Sequence, residues 1–96
     1  MNRIDVQATA GPLGWVCEVT VSGFGGGTRH TVRVAAADLE RLMPGAQDPA
    51  ELVSASFGFP LEREPQESIL RSFDLPVIGR YFPEYEAEIR TRLSRR

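Results

Sequence analysis

Two alternating segments joined by a run of glycines constrain this chain more than any other feature. Trp15 to Ser22 places Trp15, Cys17, Val19 and Val21 on one side and Val16, Glu18, Thr20 and Ser22 on the other. Thr28 to Val34 sets His30, Val32 and Val34 against Arg29, Thr31 and Arg33. A period of two is that of a strand with one buried face, and Gly23-Phe24-Gly25-Gly26-Gly27 between the two segments makes them a hairpin. A one-residue slip would turn every side chain to the wrong face. Pairing Val21 with His30, Val19 with Val32 and Cys17 with Val34 gathers the apolar residues. It also sets Glu18 opposite Arg33 and Thr20 opposite Thr31, cross-strand pairs worth about 0.2–1 kcal/mol each. Upstream, Arg3 to Ala8 alternates weakly through Ile4, Val6 and Ala8, and Gly11-Pro12-Leu13-Gly14 is a turn. Residues 1–35 therefore read as a three-stranded β-meander.

Beyond residue 35 the period changes to that of helices. Ala36 to Met43 carries Leu39, Leu42 and Met43 and stops at Pro44-Gly45. Asp48-Pro49-Ala50-Glu51 has the form of a capping box, with Asp48 as the cap, Pro49 in the first position and Glu51 in the third. The helix that follows turns Leu52, Val53 and Phe57 inward and is expected to kink or end at Pro60. Gln66 to Phe73 reads as a short helix burying Ile69, Leu70 and Phe73, and Asp74-Leu75-Pro76 as the cap of another over Val77 to Phe82. Pro83 opens the last helix, with Tyr85, Ile89 and Leu93 in a single stripe. The expected fold is one α+β domain over residues 1–96. In it a small three-stranded antiparallel sheet is followed by three to four short helices packed on one face. The expected core is Trp15, Cys17, Val19, Val21, Val32, Val34, Leu39, Leu42, Leu52, Phe57, Ile69, Phe73, Ile78, Phe82 and Ile89.

Ninety-six residues hold one domain with one modest core. The chain has 11 Arg, no Lys and 13 acidic residues, for a net charge of −2. That balance excludes a uniformly basic nucleic-acid binder. The missing lysine reads as codon bias in a GC-rich genome, and the alternative reading is selection for the planar, bidentate grip of Arg on phosphate or carboxylate. The charge is uneven: residues 44–88 hold three Arg against nine acids, and the last eight residues hold Arg90, Arg92, Arg95 and Arg96 with no acid. A lone Cys excludes an internal disulfide, and one His with one Cys cannot make a zinc site from those ligand types. Met1-Asn2-Arg3-Ile4-Asp5 has an acid at its fifth position and no apolar run after it, so no signal peptide is expected. No apolar window is long enough for a membrane span. A cytoplasmic protein is the expectation.

No catalytic motif emerges, and no cofactor or metal site is expected. Cys17 and His30 lie four residues apart along the expected sheet, roughly 13 Å at ~3.4 Å per residue, beyond the reach of a nucleophile–base pair. The glycine run precedes a strand, whereas phosphate-cradling loops precede a helix N-terminus. It therefore reads as a hairpin tip, where Phe24 either folds back onto the core or stands out as a contact anchor. The carboxylates Glu62, Glu64, Glu67, Glu84, Glu86 and Glu88 read as solvated helix faces. Residues 69–82 resemble a helix-turn-helix in outline, with Val77, Arg80 and Tyr81 on the recognition helix. Its acidic surroundings disfavour nucleic acid. Four Arg at a helix end complement the macrodipole, or form a docking site for an acidic partner or RNA.

Glu51-Leu52-Val53, Leu61-Glu62-Arg63-Glu64-Pro65, Glu67-Ser68-Ile69-Leu70-Arg71, Phe73-Asp74-Leu75 and Tyr81-Phe82-Pro83-Glu84-Tyr85 resemble a group of short uncharacterised bacterial proteins. The resemblance covers about the last half of the chain and implies no catalytic residue or substrate; Pro60 departs from it. In element order alone the chain is similar to small β-β-β-α antitoxin-like domains. The reading that follows is a non-enzymatic protein-interaction or regulatory module. Its bare sheet edges make a homodimer one expected assembly, and Phe24, Arg90, Arg92, Arg95 and Arg96 are its candidate partner contacts. The alternative is a DNA-binding regulator using residues 69–82.

Overall fold

The alternation at the start of the chain produces three long strands in a computed structural model that describes residues 3–23 and 26–94: β1 (Arg3–Gly11), β2 (Gly14–Gly23) and β3 (Gly26–Ala35). They form an antiparallel meander in which Cys17, Val19, Val21, His30, Val32 and Val34 are buried on one face. Ile4, Val6 and Ala8 of β1 extend that face, half-buried against the core. The helices α1 (Ala36–Leu42), α2 (Ala50–Leu61), α3 (Val77–Tyr81) and α4 (Tyr85–Ser94) complete the chain, with a 3₁₀ turn at Gln66–Ser68. None of the helices among the described residues is long and apolar enough to cross a membrane.

The β2–β3 register differs from the expected one by two residues. Val19 faces His30, Cys17 faces Val32, Trp15 faces Val34, and Glu18 faces Thr31 rather than Arg33. The ladder runs to Gly23 opposite Gly26, so the link is two residues long, the length that suits the twist of a hairpin. A shift of two preserves which face each side chain occupies, so the buried residues of both strands all come from the expected face, with Trp15 half-buried at its end.

Among the described residues the sheet has four strands, not three. Ser72–Asp74 forms β4, parallel to β3, where the sequence reads as the end of a helix. The Thr31 amide donates to the Arg71 carbonyl at 2.7 Å, and the Leu75 amide donates to the Arg33 carbonyl at 2.9 Å. These bonds satisfy the open edge of β3, and they outweigh the weak helical tendency of a short segment bracketed by Pro65 and Pro76. Ile69 is half-buried and Leu70 exposed, while Phe73 enters the core opposite Val32. The helix-turn-helix reading of residues 69–82 fails at the same point, because its first helix is extended chain.

Pro49, not Asp48, is the last residue before α2. Its φ of −91° and ψ of 3° are not helical, so the helix begins one residue later than the capping box implies. Asp48 still accepts a bond from the Ala50 amide at 2.9 Å, two residues on. Pro60 is tolerated in the last turn, and the helix ends at Leu61. α2 buries Leu52, Val53, Ser56, Phe57, Phe59 and Pro60, because it packs against both β1 and α4. Trp15, Ile69 and Phe82 are half-buried at the rim of the expected core, whereas Phe59, Leu75 and Tyr85 are fully buried in it.

Candidate functional site

A cleft of about 530 Å³ lies between the β1–β2 turn and α3. Pro12, Leu13, Trp15 and Val16 form one wall, Pro76 and Val77 the other, and Arg33, Asp38, Asp74 and Arg80 stand around them. Gly14 makes this possible. Its φ is +146°, and a Cβ there would sit 2.2 Å from the Val34 carbonyl oxygen, so only glycine lets the turn lie this close to the end of β3. The turn holds Leu13 86% exposed, and Val16 is also exposed beside it. On the far side Leu75 bonds back to β3, and Pro76 caps α3.

The charges around the cleft are partly committed. The Arg33 guanidinium donates to Asp74 at 2.5 Å and to the Ser72 hydroxyl at 3.0 Å. Asp38 accepts from Arg41 at 2.8 Å. Arg80 makes no hydrogen bond or ion pair among the described residues, and it is exposed at the rim. A second, smaller hollow of about 160 Å³ lies on the other side of α3, between Pro60, Ile69, Leu70, Phe73, Tyr81 and Phe82. Val77 lines both. Val77, Arg80 and Tyr81 are thus brought together on a five-residue helix separating two hollows.

The arginine-rich end divides. Arg92 donates two bonds to Glu62, at 2.9 and 3.1 Å, and lies 3.4 Å from Glu88. The bonds from Arg92 hold the Glu62 carboxyl below its usual range. The Arg92 guanidinium carbon is also 5.4 Å from the Phe59 ring centre, and that of Arg63 is 3.9 Å from it. Arg92 therefore closes the core over Phe59 instead of standing free for a partner. Arg90 is not free either. Phe24, Arg95 and Arg96 lie outside the described residues.

Cys17 and His30 sit on neighbouring strands two residues out of register, closer than the expected four, and no hydrogen bond joins them among the described residues. Burial pushes the Cys17 thiol up to about 11, with the nearby Asp48 charge adding to it. The thiol therefore stays protonated and unreactive at neutral pH. The Leu70 carbonyl can only accept, so His30 Nδ1 donates to it at 2.7 Å, and Nε2 shares a hydrogen bond of 2.9 Å with the Thr28 hydroxyl. The ring packs 5.2 Å from Phe57. The Nδ1 bond holds the segment that enters β4 against β3, and the Nε2 bond to Thr28, within β3, fixes the ring for it. Glu86 is bound by Arg41. Among the described residues no three His, Cys, Asp or Glu side chains converge as metal ligands would.

The cleft escaped the sequence reading. Its signal was an apolar residue in the third position of Gly11-Pro12-Leu13-Gly14, where a turn tip leaves it in water. Comparisons with protein-family models, curated proteins and solved structures return no match.

Proposed function

We propose that this chain is a non-enzymatic protein-interaction module of the cytoplasm, and that it takes a partner segment in the cleft between the β1–β2 turn and α3. The observation that carries this reading is Leu13, 86% exposed on a wall shared with Trp15 and Val16. Clustered exposed apolar side chains rimmed by charge are a feature of interaction surfaces. Arg80 at the rim, unpaired among the described residues, sets the chemistry of the partner: an apolar side chain next to a carboxylate. The lone buried thiol suits a reducing compartment.

Selection of peptides from a random library against the immobilised protein tests this reading. Enriched peptides share an apolar residue beside Asp or Glu. They lose binding at least roughly tenfold to Leu13→Ser, the scale expected when a large apolar anchor is removed. They also lose binding to Arg80→Glu, and changing the peptide acid to Lys restores binding to that variant. Peptides that bind both variants as well as the wild type, or no enrichment at all, would sink the reading.

A further inference from the structure

The two edges of the sheet are treated differently. β4 is three residues long and ends at a turn into Pro76, a short edge of the kind that discourages pairing. β1 is nine residues long and contains no proline, and it pairs with β2 without a bulge from Arg3 opposite Ser22 to Gly11 opposite Gly14. Its outward row of backbone groups can be identified. Thr31 and Arg33 bond toward β4. In an antiparallel ladder the direction of bonding alternates along each strand. The odd residues of β2 therefore bond to β3, the even ones bond to β1, and the odd residues of β1 are their partners. The amides and carbonyls of Ile4, Val6, Ala8 and Ala10 consequently face the open edge.

We propose that a second copy of this chain covers that edge, with β1 pairing antiparallel to β1 of the partner about a two-fold axis through Val6. This register sets Val6 opposite its own copy and Ile4 opposite Ala8. On the outer face it sets Asp5 opposite Gln7 and Arg3 opposite Thr9. Three observations select it. It engages the outward-bonding residues, closing about six backbone hydrogen bonds. It lays the half-buried stretch Ile4, Val6 and Ala8 on itself, continuing the apolar face across the axis. It brings no like charges opposite each other, whereas an axis through Asp5 would oppose two carboxylates. The two sheets become one of eight strands. The contact is separate from the cleft, so either proposal can fail alone.

Position 9 tests the register, because Thr9 is exposed and faces the uncharged Val16 within its own sheet. Sedimentation equilibrium at low salt is expected to show a reversible dimer. Thr9→Glu puts a carboxylate against Arg3 of the partner subunit twice, once on each side of the axis. It tightens the dimer between about twofold and thirtyfold, and Thr9→Arg weakens it by a similar factor. If the axis passed through Gln7 instead, Thr9 would face Asp5 and both signs would reverse, overturning the proposed pairing. Val6→Pro removes the central amide, which is not used by β2, and gives a monomer whose circular dichroism matches the wild type. Should that variant fail to fold, the two Thr9 variants decide alone. A wild type that stays monomeric at millimolar concentration, or a dimer indifferent to position 9, overturns the proposal.

Discussion

The Ser56–Tyr85 pair allows a quantitative prediction. Both residues are fully buried, one on α2 and one at the start of α4, and their hydroxyls share a hydrogen bond of 2.7 Å. Tyr85→Phe keeps the ring in place against Phe59 and strands the Ser56 hydroxyl without water. An unsatisfied buried hydroxyl costs about 1–3 kcal/mol, so the variant is less stable than the wild type by about that much at pH 7. Ser56→Ala strands the phenol in the same way. The double variant strands neither, so its loss is smaller than the sum of the two single losses.

The same residue shapes the alkaline limb. Burial is the main cause that pushes the Tyr85 phenol up to about 12 from its ordinary 10, partly offset by the bond to Ser56. Tyrosine is charged when deprotonated, so the folded state keeps its proton longer than the unfolded chain does. This contribution to stability is complete below about pH 10 and is lost as the pH rises to about 12. At 1.36 kcal/mol per unit, the loss is about 2–3 kcal/mol. Cys17 titrates with the same sign from about 9 to about 11, but equally in both proteins. Urea unfolding of wild type and Tyr85→Phe from pH 7 to 12 isolates the tyrosine in the difference curve. The wild type leads at pH 7, and its lead shrinks above pH 10. A lead that stays constant to pH 12, or a Tyr85→Phe variant as stable as the wild type at pH 7, would refute the reasoning.

Two further outcomes follow from the geometry around the sheet. Gly14→Ala must place a Cβ against the Val34 carbonyl in a backbone region closed to alanine; a loss of about 3 kcal/mol or more is expected in thermal unfolding. His30→Ala removes both bonds that fasten Leu70 and Thr28 and opens a cavity beside Phe57, for a cost of about 2–4 kcal/mol. Hydrogen exchange at the Leu75 amide should then accelerate more than exchange within α2, and equal acceleration at the two would show that His30 does not fasten β4.

What the sequence disclosed follows the reach of each interaction. Strand alternation reports a face, and a face survives a two-residue error of register; Cys17, Val19, Val21, Val32 and Val34 were assigned correctly although their partners were not. β4 was hidden because three residues cannot show a period. Its cause is also remote: the open edge of β3 and the His30 ring forty residues away from Leu70. Phe59 and Leu75 each precede a proline, so they read as ends of elements while the fold uses them as core. The cleft unites residues 12–16 with residues 74–80, a meeting that exists only once β4 has docked.

The charge layout shows the same dependence on distance. Along the chain, an acidic stretch followed by four arginines suggests a cationic end held out for a partner. In space, Arg92 reaches back thirty residues to Glu62, and Glu86 accepts from Arg41 on α1. Both arginine pairs lie at the surface, where pairing alone adds little to stability. Arg92 also lies over Phe59, as Arg63 does, and an aromatic ring shielded on this pattern gains from the cation and its aliphatic stem together. Replacing Arg92 therefore loosens the α2–α4 packing before it touches any partner. A binding defect in that variant speaks for a cationic docking site only if its unfolding curve matches the wild type. Arg80, whose side chain makes no hydrogen bond or ion pair among the described residues, carries no such ambiguity.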